Sequence, residues 1–265
     1  MRAYLTCAAA LLAIAGSSLR AEPAAPKAED PVLSCWKQID DGYYSTTPRQ
    51  IVAGLDALEA RKDKADPGTY AYVRAYGLFR LASISSRKDQ AQSRLEEADR
   101  LLAKPGRPEL AAEFHALRSG IDGQLAGMGD MELTIRYGMA SGTEAESALS
   151  QDRANGRALF AQAVAKANTP AEYGGSLEDG IQGLQDAVAS FGRHPAAGIF
   201  AWGEADADAW LGILYLRQKD PQKAKAAFEA ALKVRPDFYW VSDNLMMKME
   251  GKPVHRKFPK GQPTD

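Results

Sequence analysis

The residue types that do chemistry are present in this chain but scattered. His115, His194 and His255 stand apart, and none has a second histidine or a cysteine at metal-ligand spacing. They predict surface or capping roles, with no metal and no cofactor. Ser85-Ser86-Arg87-Lys88 fits S-x-x-K and Ser242-Asp243-Asn244 fits S-D-N, two of the three motifs of a serine acyl-transfer site. The third, K-T-G on a strand, is missing, and the chemistry needs a sheet that this sequence does not encode. Asp40-Asp41 and Glu96-Glu97 are adjacent acids that point in different directions on a helix, so they predict surface charge rather than paired acid/base groups. Tyr173-Gly174-Gly175-Ser176 precedes a helix and could seat an anion, although a tight turn plus a cap explains it as well. No catalytic residue emerges, and the chain is not expected to be an enzyme.

Composition agrees. Lysine plus arginine (33) nearly balance aspartate plus glutamate (34), which gives no basic footprint for nucleic acid. Arg2 followed by the apolar stretch 3–16 and the small residues before Ala21 reads as a secretory signal peptide over 1–21. The stretch is too short to span a bilayer, so the membrane enters only through export, and a periplasmic or secreted protein is expected. Removing the signal leaves Cys35 as the one cysteine. It is expected as a buried thiol beside Trp36, and no intrachain disulfide can form.

Positioning falls to helices. Residues 22–31 are an Ala/Pro-rich spacer. From 32 to 250 apolar residues recur at three- and four-residue intervals, and no stretch alternates with period two. Proline at a first helical position marks new helices at Pro48 and Pro67, with Thr47 and Asp66 as caps. The stretch 126–142 is weakened by glycines. A short helix is expected over Met131–Met139, then a separate one to Leu149 opened by a Thr143/Glu146 capping box. Ser176 should cap the helix after the long 168–176 loop, and Asp237 the last one. Residues 251–265 form a basic tail.

The sharpest pattern lies at 205–236. Leu211, Gly212, Tyr215, Ala224, Phe228, Ala231 and Pro236 fall at the spacing of the tetratricopeptide repeat, and this stretch resembles one such helix–turn–helix unit. Asp208 departs, standing where the repeat has a large apolar residue. Residues 155–191 and 70–103 resemble looser copies. A second similarity, on Asn155-Gly-Arg157, Tyr173-Gly-Gly175 and Trp202-Gly-Glu204, is to secreted bacterial repeat proteins of unassigned function. The resemblance implies an all-α solenoid of about ten helices in antiparallel pairs, closed by a C-terminal capping helix.

It also implies a concave side lined by the first helix of each pair. Asn155, Gln162, Lys166, Asp206, Ile213, Arg217 and Arg80 are the candidate binding residues there. The expected function is an exported, non-catalytic scaffold for a protein or peptide partner, with a homo-oligomer also possible. The alternative is a small-ligand component of an uptake system, similar to the repeat protein associated with tripartite (TRAP) transporters. That alternative predicts a closed pocket instead of an open groove. Trp202 is expected in the core, and Tyr239 and Trp240 are open between core and contact.

Overall fold

The computed structural model describes residues 31–104 and 108–254; the stretch expected as a signal peptide, most of the expected spacer, residues 105–107 and most of the expected basic tail lie outside the described residues. Among the described residues there are eleven α-helices and no strand. They pair in chain order: α1 (Pro31–Tyr44) with α2 (Pro48–Glu59), α3 (Pro67–Ser83) with α4 (Lys88–Leu102), α5 (Ala111–Ala126) with α6 (Met131–Gln151), α7 (Gly156–Asn168) with α8 (Leu177–Arg193), and α9 (Glu204–Arg217) with α10 (Pro221–Val234). A π-helical stretch, Val241–Leu245, runs into α11 (Met246–Met249), and both pack on α10.

Helix starts follow local chemistry. The carboxylates of Asp66, Asp130 and Asp220 accept from backbone N–H groups three residues on, as do the Asn155 amide oxygen and the Ser176 hydroxyl. Pro48, Pro67 and Pro221 take first-turn positions, where a missing N–H costs nothing. Thr47 precedes Pro48 but makes no side-chain cap, its hydroxyl donating instead to the Ser45 carbonyl.

Two further expectations fail. The two helices expected across 131–149 are one, α6. Thr143 sits in its interior, and its hydroxyl donates back to the Met139 carbonyl. The glycines at 138 and 142 face open space, so no neighbour forces a break there. Asp237 caps nothing, because both its oxygens accept from Arg235.

Close crossing of α9 and α10 explains the repeat spacing. A Cβ placed on Gly212 would lie 2.4 Å from the Phe228 ring, so only glycine lets that ring pack. The core divides into a large cluster under α1–α5 and a second under α7–α10. Each borrows from the other end of the chain: Trp202 belongs to the first and Tyr44 to the second. The array therefore bends until its first and last pairs touch.

Candidate functional site

That contact is a buried polar seam. Arg80, from the middle of α3, is 2% exposed and lays its two terminal nitrogens on the two oxygens of Asp206, at 2.9 and 2.8 Å. Tyr43 and Tyr44, at the end of α1, donate their hydroxyls to the same carboxylate at 2.9 and 2.8 Å. The guanidinium also lies 4.0 Å from the centre of the Tyr43 ring and 5.2 Å from Trp202. A buried charge pair is tolerable only when most of its hydrogen-bonding capacity is used; both Asp206 oxygens and both terminal Arg80 nitrogens are bonded, while the Arg80 Nε is left without a partner among the described residues. Burial pushes the Asp206 carboxyl up, but Arg80 and the tyrosine hydroxyls outweigh it and hold the pKa below the ordinary value. The aromatic rings around the guanidinium add cation–π attraction in a dry setting.

A second pair lies beside the first. Asp40 is 2% exposed and accepts from the Tyr76 hydroxyl and, at 2.7 Å, from Arg235. Arg235 reaches on to Asp41 and Asp237 at 2.9 and 3.0 Å. Burial raises the Asp40 pKa to about 6, against the pull of Arg80, the Tyr76 hydroxyl and Arg235. The expectation of Asp40 as surface charge is corrected: only Asp41 is exposed.

The candidate binding residues fare unequally. Arg80 and Asp206, expected as separate contacts on an open face, are buried and bonded to each other. Asn155 is buried: its amide oxygen caps α7 and its Nδ2 donates to Glu113 at 2.9 Å, so it offers nothing to a peptide. Lys166 donates to the Gly174 carbonyl and pins the 169–176 loop. Arg217 caps the end of α7 through the Ala167 carbonyl and the Asn168 side chain. Gln162 is exposed, and Ile213 is half-buried against the second core. Tyr43, Tyr44 and Arg235 carry no signal in the sequence as site residues, because the pattern of one helix does not reveal a partner on a distant one.

Other motifs are used locally. Ser85 bonds the Arg87 carbonyl and Ser242 bonds Asp243, so the two serine motifs share no site. Trp202 is core, its indole donating to the Tyr72 hydroxyl at 2.9 Å. Trp240 stacks near Phe238 as half-buried core. Cys35 is a buried free thiol. Among the described residues no group of three or more His, Cys, Asp or Glu side chains could hold a metal ion.

The outer side is the reverse of the seam. On α6, Met131, Ile135 and Met139 follow at four-residue intervals and are 71%, 52% and 71% exposed. Successive positions of this spacing form one ridge along a helix, and among the described residues no element covers it.

Comparison with solved structures supports the reading of the fold. The HusA haemophore from Porphyromonas gingivalis superposes with a TM-score of 0.58 at 22% identity, covering 73% of this chain and 96% of its own. The fold is a tetratricopeptide-repeat-like solenoid. MamA from Desulfovibrio magneticus RS-1 (TM-score 0.33, 18% identity, 78% of this chain and 97% of its own) and YrrB, described as a TPR protein with an unusual peptide-binding site (0.35, 12%, 83% and 98%), align more loosely with the solenoid. No protein-family model matches the chain, and no curated protein matches its sequence.

Proposed function

We propose that this solenoid is an exported, non-catalytic scaffold that binds a partner protein. The observation that carries the reading is the α6 ridge: three large apolar side chains held in water on a rigid 21-residue helix. Exposed apolar surface of this kind marks interaction sites. The ridge is one side chain wide and flanked by Glu132, Arg136 and Glu146, charges of both signs. It fits an amphipathic partner helix whose apolar edge is bordered by mixed charge. The inner face is less suited to an extended peptide, since Arg80, Asp206 and Asn155 already satisfy one another or the backbone. Export rests on the leader pattern at 1–21.

The test is crosslinking in the native compartment with wild type, a Met131→Gln/Ile135→Gln/Met139→Gln variant and a Gln162→Ala/Lys166→Ala/Arg217→Ala variant. One partner captured by wild type and by the inner-face variant, but lost from the ridge variant, supports the reading. Loss only from the inner-face variant returns the contact to the concave side. If the captured protein is a second copy of this chain, the scaffold is a homo-oligomer and sedimentation will show it.

A second reading is carriage of a small ligand. A haemophore shares the fold, and the uptake-component alternative calls for a closed pocket that could hold such a ligand. Titration with haem, followed by its absorbance, tests it: a saturable spectral change at one equivalent favours carriage, and an unchanged spectrum removes haem.

A further inference from the structure

Where the first and last repeats meet, the seam does not seal completely. A recess of about 100 Å³ opens beside it, lined by Tyr44, Phe191 and Trp202 together with Asp40, Arg235 and Glu204. It is a small opening with room for a short group, at a junction between packed units. The charges at its edge are unequal. Arg235 is saturated by Asp40, Asp41 and Asp237, so its charge is more than cancelled before any ligand arrives. Glu204 has no such partner: among the described residues no hydrogen bond or ion pair reaches its carboxylate. One turn on, Asp208 is 6% exposed and likewise without a cation. This is the position at which the chain departs from the repeat pattern. The unmatched negative charge on the rim of the recess is thus that of Glu204, at the start of α9.

The backbone keeps this rim open. Gly203, just before α9, holds φ at +101°, and a Cβ there would lie 3.0 Å from the Phe191 ring and 3.3 Å from Arg157. A residue with a side chain would be strained and would crowd the wall.

We propose that the recess binds a primary ammonium group carried on an apolar body, with Glu204 as its counter-ion and Trp202, Phe191 and Tyr44 as its walls. An ammonium ion gains from a carboxylate and from aromatic faces together, most where water is partly excluded. The ammonium can belong to a free amine or to a lysyl side chain, and the site chemistry is the same for both. This inference is independent of the α6 contact and survives its failure.

The experiment uses the indole N–H signal of Trp202 in ¹H–¹⁵N spectra, assigned with Trp202→Phe. Benzylammonium and Nα-acetyl-lysine-N-methylamide probe the two sources; benzyl alcohol and benzoate are the uncharged and anionic controls. The expected result is a saturable shift with at least one ammonium probe, weakened roughly tenfold in Glu204→Gln and partly restored in Glu204→Asp, with melting temperatures unchanged. The tighter of the two probes identifies the source. The proposal is overturned if benzoate binds as well as the ammonium probes, which would make Arg235 the governing group. It is also overturned if Glu204→Gln binds equally well, or if no probe moves the signal.

Discussion

The seam and the α6 ridge invert the usual arrangement of a solenoid. On the inner side, where a groove was expected, charged and phenolic groups are buried and spent on one another. On α6, by contrast, two methionines and an isoleucine stand in water. The difference shows that ends and middle answer different demands. The first and last pairs must stop the array, and here they stop it by meeting, with Arg80, Asp206, Asp40 and Arg235 as the lock. The middle pair has no such duty, and α6 is free to present a contact.

The largest effect that would break this contrast is at the lock. Asp206→Ala leaves the Arg80 guanidinium buried with no counter-ion. We expect a loss of about 3–5 kcal/mol in urea unfolding, with much of it recovered in Arg80→Met/Asp206→Ala. Equal losses in the single and double variants would show that the pair itself, and not an orphaned charge, carries the stability.

Next in size is Gly212→Ala. The added methyl meets the Phe228 ring at 2.4 Å, and we expect a cost of about 1–3 kcal/mol by the same measurement. Recovery in Gly212→Ala/Phe228→Leu would confirm that the clash is with that ring.

The pH dependence should be moderate and of definite sign. Burial and the neighbouring Asp99 raise the Asp122 pKa to about 7; burial and Glu204 do the same for Asp208. Both lie above the ordinary carboxyl value, so the folded chain holds protons that the unfolded chain releases. Their contribution is fully present below about pH 4 and is lost as pH rises through 7. Their loss should therefore lower the melting temperature between about pH 4 and pH 7 and level off above, and Asp122→Asn/Asp208→Asn should flatten that fall. Asp206, held low, acts in the opposite sense but only in acid.

Smallest of all, Met131→Gln/Ile135→Gln/Met139→Gln should stay within about 0.5 kcal/mol of wild type, since nothing packs on these side chains. A larger loss would make α6 a structural element and remove the contrast.

How legible this was depends on sequence distance. The α9–α10 pair could be read because Leu211, Gly212, Tyr215, Ala224, Phe228 and Ala231 meet within one hairpin, where helical spacing dictates contact. Caps at Asp66 and Ser176 are local for the same reason. Arg80 and Asp206 lie 126 residues apart, and no periodicity within either helix reveals that they share a bond. Asp40 was assigned to the surface because adjacent acids diverge on a helix; that geometry holds, but it did not say that one of the two faces another repeat. Thr143 misled because Thr-x-x-Glu describes a helix start only where the chain is not already helical. Arg80, Asp206 and Asn155 could be picked out as residues of interest, but not as groups that consume their own bonding capacity inside the fold.

The central claim is that the ends of the solenoid meet. Spin labels placed at Ser34 and Lys233 in a Cys35→Ser background would report it by pulsed dipolar distance measurement. The account predicts one short, narrow distance distribution in wild type, which broadens in Asp206→Ala. A broad, long distribution in wild type would mean that the array is open in solution, and that its inner face is available after all.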